Sequence, residues 1–256
     1  MIKVIKRSTH SNFIFYLSPL VAVLATLLFG SLIFLLLDLN PLESFKIFFI
    51  SPISNSYGLS ELLVKATPLA IIALGLSYCF KNNIYNIGAE GQLTMGAIFG
   101  GGIGLFFYNS DSALLLPAMI LFGGIGGALW GLIPAILKTK FNTNEILTSL
   151  MLTYIAILIL DYLVVGPWKD PASYGLPKSR PFPESGRLPV LIDGLRAHIG
   201  VYFSILIAII SYYVFNKTLF GYKLKVTGYS AKASKYAGFK SNQLIIITFL
   251  ISGACA

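Results

Sequence analysis

The residues able to do chemistry gather at two polar breaks between long apolar runs. The first break reads Lys81-Asn82-Asn83-Ile84-Tyr85-Asn86-Ile87-Gly88-Ala89-Glu90-Gly91-Gln92. Amides and one carboxylate at such a break can hydrogen-bond a polar solute, so Asn86, Glu90 and Gln92 are candidate pathway or gating residues. A helix starting near Ala89 puts Glu90 in its first turn, where the helix dipole favours a negative charge. If the break lies at lipid depth, its backbone needs protein or water partners, and interrupted helices with polar ends build the midplane sites of many transporters. The alternative is an ordinary turn at the membrane edge, with Glu90 as a cap. The second break, Asn142-Thr143-Asn144-Glu145, resembles a capping box between Asn142 and Glu145. In the helix that follows, Glu145, Thr148, Ser149, Thr153 and Ala156 share one face at about 100° per residue. Such a hydroxyl stripe is either glue between helices or a pathway wall, with Glu145, Ser149 and Thr153 as its candidate residues.

Other chemistries lack residues to carry them. No H-E-x-x-H or G-x-S-x-G occurs, and His10 and His198 lie far apart outside the apolar runs. An intramembrane enzyme is therefore poorly supported; no catalytic residue, metal site or cofactor is expected. Cys79 and Cys255 both sit in apolar stretches and read as small packing residues. No G-x-x-x-x-G-K-[ST] loop is present, so any ATP hydrolysis must belong to another chain.

The elements that position these breaks follow from composition. Of 256 residues, 56% are hydrophobic and 11% charged, against about 25% charged in an ordinary soluble domain. A surface so poor in charge suits lipid. A spanning helix needs about 20 mostly apolar residues, and six segments meet this, at 17–37, 62–80, 89–108, 113–137, 145–165 and 199–215. A seventh starts near Leu244 and stops at Ala256, so the chain is expected to be part of a longer protein. The predicted fold is an all-α, polytopic helix bundle forming one transmembrane domain over 1–256. Lys3, Lys6, Arg7, Lys81, Lys138, Lys140 and the lysines from Lys217 to Lys240 fall on one side of it, with Glu90 and Glu145 as the acidic residues there. The positive-inside rule then makes the N-terminus cytoplasmic, with 1–16 a cytoplasmic tail, 166–198 an outer loop and 216–243 a basic cytoplasmic loop. The outer loop is proline-rich, hence not helical; it is expected to lie over the outer mouth as a passive cover or a docking surface. Ser230 to Tyr236 can form two short helical turns. Gly96, Gly100 and Gly104, and again Gly123, Gly127 and Gly131, recur every four residues, a spacing that lets helix backbones approach closely.

These runs resemble a known family. Ala66-Thr67-Pro68-Leu69, Asn86-Ile87-Gly88-Ala89-Glu90-Gly91-Gln92-Leu93 with Met95-Gly96-Ala97, Asn144-Glu145-Ile146 and Gly166-Pro167-Trp168-Lys169-Asp170-Pro171 are similar to the permeases of bacterial ABC importers for nucleosides and simple sugars, in the branched-chain-amino-acid/ribose permease superfamily. The resemblance covers the chain from about residue 40 onward. It implies a multi-pass protein of the bacterial cytoplasmic membrane and three protein partners: a cytoplasmic ABC ATPase, a second permease subunit (a paralogue or another copy), and a periplasmic or lipoprotein substrate-binding protein. No nucleic-acid partner is implied. It also implies that the loop containing Ser230, Lys232, Lys235, Tyr236, Ala237 and Gly238 docks on the ATPase. There the chain departs from the family pattern, with Ser230-Ala231 where the family has Asn-Pro and Ser234 where it has alanine. The expected function is import of a nucleoside or simple sugar by alternating access. A stand-alone secondary transporter or channel is the alternative.

Overall fold

The structure, a computed structural model, describes residues 12–256. Its helices are α1 (Asn12–Leu36), α2 (Pro41–Phe45), α3 (Ser51–Ser54), α4 (Ser56–Lys81), α5 (Ala89–Phe106), α6 (Leu115–Phe141), α7 (Glu145–Val165), α8 (Gly200–Lys217), α9 (Leu219–Tyr229), α10 (Ala231–Tyr236) and α11 (Ser241–Cys255). A π-helical turn covers Lys46–Ile50 and a 3-10 turn Glu184–Gly186. Among the described residues there is no strand, only two isolated bridges, Lys169 with Ser179 and Val190 with His198. The fold is all-α. Lys3, Lys6 and Arg7 of the expected tail lie outside the described residues, and α1 begins at Asn12, ahead of the expected 17.

Among the described residues, five helices are long and apolar enough to cross a bilayer: α1 from Phe13, α4, α6, α7 and α8. The expected third span, α5, is not among them. It is 18 residues long, but Glu90 and Gln92 in its opening turns and its many glycines dilute its apolar character. Helix α11 has 15 residues and is too short by the same measure.

The chain divides into two compact units, Met1–Leu62 and Leu63–Ala256, with the boundary inside α4. In the first, α1 ends where Asp38 takes a left-handed conformation (φ 56°), with Leu39 N–H donating to the Phe34 carbonyl at 2.9 Å and Asp38 N–H to that of Leu35 at 3.1 Å. This is a Schellman ending. Asn40 then caps α2 by accepting from Leu42 N–H at 3.0 Å, and Pro41 suits the first helical position. Phe45 meets Phe34 edge-to-face at 5.3 Å and lies against Gly30. Ile47, Phe48, Phe49, Ile50 and Ile53 are all exposed, as on a lipid-facing surface.

The second unit is built around α11. Phe249, fully buried, packs with Ala135 of α6 and Ile84. Leu244 packs with Tyr78 of α4 and Leu224 of α9. Cys79 of α4 donates its Sγ–H to the Thr248 carbonyl at 3.4 Å. A third cluster joins Met95 and Ile98 of α5 to Ala156 of α7. These contacts put the C-terminal ends of α4 and α6, the start of α11 and the whole of α9 at one end of the unit.

Candidate functional site

The segment between α4 and α5 brings the buried amides Asn82 and Asn86 into the fold, and Gln92 follows in α5. Helix α4 stops by the same Schellman device, now with Asn83 at the left-handed position (φ 57°): Ile84 N–H reaches the Cys79 carbonyl and Asn83 N–H that of Phe80, both at 3.0 Å. Asparagine tolerates that conformation better than most residues. The chain then runs extended to Gly88, and burial alternates along it: Asn82, Ile84, Asn86 and Gly88 point inward, Asn83, Tyr85 and Ile87 outward. That is the period of two expected of extended backbone.

Asn86 is the hub, 1% exposed. Its Nδ2 donates to Gln92 Oε1 at 2.9 Å and to Ser252 Oγ at 3.0 Å. Its Oδ1 accepts from Gln92 Nε2 at 3.3 Å and from Gly88 N–H at 3.1 Å. All four hydrogen-bonding positions of the amide are used. Ile87 N–H donates to Ser149 Oγ at 3.2 Å. Glycines are required beside it: a Cβ on Gly88 would lie 2.5 Å from the Ser149 carbonyl, and one on Gly91 2.6 Å from Thr153 Cα. Ser149 and Thr153 thus receive the start of α5, and both are buried.

The partners fix the depth of the crossing. Ser149 and Thr153 lie four and eight residues into α7, and Ser252 lies eleven residues into α11. At about 1.5 Å per residue these are about 6, 12 and 16 Å from the helix starts. The crossing therefore enters the bundle and is not a turn at its edge, and α5 begins well inside.

Glu90 is the exception in this cluster. It is the second residue of α5 and is exposed, while its neighbours Ala89, Gly91 and Gln92 are buried. Thr94, half-buried one turn on, donates its hydroxyl to the Glu90 carbonyl at 2.9 Å, and exposed Ala97 continues the same face.

The second break differs from the sequence reading. Asn144, not Asn142, caps α7, its Oδ1 accepting from Ile146 N–H at 2.9 Å and Leu147 N–H at 3.4 Å. Asn142 instead closes α6 in a left-handed conformation (φ 52°), so the capping box does not form. Glu145, only 9% exposed, turns away to pair with Lys138 Nζ at 2.8 Å. It ties the end of α6 to the start of α7.

The glycine rows serve close approach. Gly96 and Gly100 face Gly123 and the Met119 carbonyl of α6, and Gly104 faces the Met119 side chain and Phe182. Further along α6, Gly127 lies against the Gly253 carbonyl of α11, and Gly131 against the Phe249 carbonyl and Gln92 Nε2. The row thus contacts α5 throughout, and α11 as well from Gly127 onward.

In the basic segment, α9 and α10 replace most of the expected loop. Ser230 caps α10, its Oγ accepting from Ala233 N–H at 3.2 Å. Gly238 (φ 73°) ends it, with Phe239 N–H on the Ser234 carbonyl at 3.0 Å. Ser234 is buried and its hydroxyl bonds those of Thr227, at 2.9 Å, and Ser241, at 3.2 Å. Lys232, Lys235, Tyr236, Ala237 and Gly238 are exposed, Tyr236 almost completely at 97%. Gly228 packs on the Lys81 carbonyl, seating α9 against the end of α4.

At the opposite end of the unit, the segment 166–198 forms turns and bridges. Trp168 lies over Gly102, and Phe182 over Gly101 and Gly104. Ser185 Oγ donates to the Ser110 carbonyl at 2.9 Å. Sequence reasoning missed Ser252, Lys138, Gly253 and Phe182. Ser252-Gly253 is a small, polar-containing pair within the last apolar run, which was its only signal.

The buried amide lattice thus lies within a bundle of apolar helices, several of them long enough to cross a membrane. The family described as "Branched-chain amino acid transport system / permease component" matches residues 58–256, and this chain belongs to that family. It is similar to the glucose ABC transporter permease protein of Haloferax volcanii, with 32% identity over 98% of this chain and 68% of that protein. It is also similar to the guanosine ABC transporter permease protein of Bacillus subtilis, with 30% identity over 98% of this chain and 71% of that protein. The nucleoside ABC transporter permease protein of Lactococcus lactis is 28% identical over 94% of this chain and 68% of that protein. No solved structure matches it. The chain is a multi-pass membrane protein and a transport component rather than an enzyme, with ATP hydrolysis on a separate subunit; the stand-alone transporter alternative is set aside.

Proposed function

We propose that this permease carries nucleosides or simple sugars inward through a path bounded by the exposed face of α5. The observation that carries this reading is Glu90, an exposed carboxylate in the first turn of a helix that starts beside Ser149 and reaches Thr153 at Gly91, about 6 to 12 Å along α7 from its start. A charge at that depth needs water or a protein partner, and a pathway shared with a second permease subunit supplies both. Asn86, Gln92, Ser149 and Thr153 hold the wall from behind, and the Glu145–Lys138 pair clamps the adjoining helix ends. Hydroxyl-rich solutes suit such a face, since each buried polar group of the solute needs a partner.

In this reading α5 counts as a sixth span, shortened because it starts inside, and α11 is the beginning of a seventh. The N-terminus is cytoplasmic, with 1–16 as its tail. The proximity of Lys81 and Lys225 at the α4–α9 contact favours placing 216–243 on the cytoplasmic side and 166–198 outside. Ser230 and the exposed Lys232, Lys235, Tyr236, Ala237 and Gly238 form the surface that meets the ABC ATPase, and a binding protein delivers solute to the outer side of the cytoplasmic membrane. The test is uptake of labelled nucleosides and sugars by the assembled transporter. Glu90→Ala is expected to lower uptake by roughly tenfold or more, the loss of one charge-assisted hydrogen bond, with membrane insertion unchanged. Undiminished uptake would reduce Glu90 to a helix cap.

A further inference from the structure

At the outer end of α5, a groove of about 570 Å³ is lined by Gly102, Leu105, Phe106, Trp168, Lys169 and Arg180, with Pro167 and Pro171 at its edge. That volume falls within the ~300–1,000 Å³ typical of small-molecule sites. The groove is built rather than incidental. Trp168 N–H donates to the Leu163 carbonyl at 2.8 Å, and Asp170 N–H to that of Lys178 at 2.8 Å. The Lys169–Ser179 bridge holds the two arms of the loop together. The indole is braced on Gly102, where a Cβ would lie 3.4 Å from the ring. The Arg180 guanidinium is steered by the Tyr108 ring, 5.9 Å away.

The chemistry of this lining is one-sided. Trp168 offers an apolar ring face and an indole N–H, and Lys169 and Arg180 offer charged donors. Among the described residues none of these three side chains donates a hydrogen bond or meets a carboxylate within salt-bridge distance. The nearest carboxylate in sequence, Asp170, does not line the groove, and its Oδ1 accepts from Ala172 N–H at 3.1 Å.

We propose that this groove is an outer acceptor site for a planar, acceptor-rich ring of nucleoside size, with the heterocycle on Trp168 and its carbonyl oxygens and ring nitrogens facing Lys169 and Arg180. The proposal rests on the importer reading above and narrows its solute class. A simple sugar brings hydroxyls that a nucleoside's ribose also carries, so the planar ring, which a simple sugar lacks, is what separates the two at Trp168. A nucleobase edge brings acceptors and a flat face, and aromatic stacking rewards the face by about 1–3 kcal/mol.

The sequence contains two tryptophans, Trp130 and Trp168, so Trp130→Phe leaves the groove indole as sole reporter. The full chain in phosphatidylcholine vesicles is titrated with guanosine, uridine and glucose while Trp168 fluorescence is read, then again with phosphatidylglycerol added. Saturable quenching by the nucleosides, absent with glucose and weakened ~3–10-fold in Arg180→Gln and Lys169→Gln, is the expected result. These two positions are exposed, so the variants keep the fold even if Trp168→Ala does not. No nucleoside quenching, or a response to phosphatidylglycerol alone, overturns the proposal; the latter makes the groove a lipid-headgroup site. In the assembled transporter the same variants should raise the apparent KM for nucleoside uptake by a like factor. Normal uptake with unchanged KM rejects the acceptor site and leaves the importer reading standing. Uptake of glucose but of no nucleoside rejects the solute class.

Discussion

The two ends of α5 solve the same problem in opposite ways. At its start the chain arrives as extended backbone inside the bundle, and from Asn86 onward side chains meet its polar groups: Asn86 answers Gly88 N–H, Gln92 and Ser252, and Ser149 answers Ile87 N–H. Its other end is covered by the loop 166–198, which follows α7, pairs its own backbone through turns and two bridges and lays the rings of Trp168 and Phe182 on the helix. Inside, water cannot share the work, so each unmet group costs about 1–3 kcal/mol. Outside, water can, and what remains to be achieved is covering apolar surface. The inner end is therefore specified by hydrogen-bond geometry and the outer end by shape.

Replacing Asn86 attacks that contrast at its strongest point. Asn86→Leu keeps the approximate size but strands the Gln92 amide, Gly88 N–H and the Ser252 hydroxyl together. The expected loss is about 3–6 kcal/mol, seen as failure to elute as a monodisperse species in mild detergent. A variant as stable as the parent would mean that the lattice is wet, and the difference between the two ends would collapse.

The sequence made the existence of this lattice legible but not its depth. Four amides and a carboxylate between apolar runs announced a polar break; whether it lay at the edge or inside depended on Ser149 and Ser252, which are 62 and 166 residues from their partners. The long apolar runs of α1, α4, α6, α7 and α8 were plain, because period and composition are local. Helix α9 was hidden within the expected basic loop 216–243, where Gly221 and Gly228 are glycines because a Cβ would strike the Val214 and Lys81 carbonyls. Helices α2 and α3 were hidden by shortness, at five and four residues. Glu145 was legible as a charged helix start but not as the partner of Lys138, since the left-handed Asn142 that folds α7 back on α6 has no distinctive pattern. Glycine spacing along α6 pointed to close packing, yet not to the second partner, α11, that joins α5 from Gly127 onward.

The glycines of α5 sharpen the comparison further. Near the start, a Cβ on Gly91 would lie 2.6 Å from Thr153 Cα, a backbone atom with nowhere to go. Gly91→Ala is expected to cost about 2 kcal/mol despite the better helix propensity of alanine, by overpacking a rigid contact. The check is the thermal midpoint in detergent together with uptake, and both should fall. A neutral result would show that α7 can shift, making the inner end as forgiving as the outer.

Near the other end, the equivalent change has room. A Cβ on Gly102 would meet the Trp168 ring at 3.4 Å, an ordinary van der Waals distance, and alanine gains up to about 1 kcal/mol over glycine within a helix. Gly102→Ala is therefore expected to leave the thermal midpoint unchanged or raise it slightly. Because the added methyl touches the edge of the indole, the change should register in Trp168 fluorescence before it registers in stability. A marked fall in stability would mean that the loop is clamped on α5 as tightly as the crossing is clamped in the bundle, and shape alone would no longer account for the outer end.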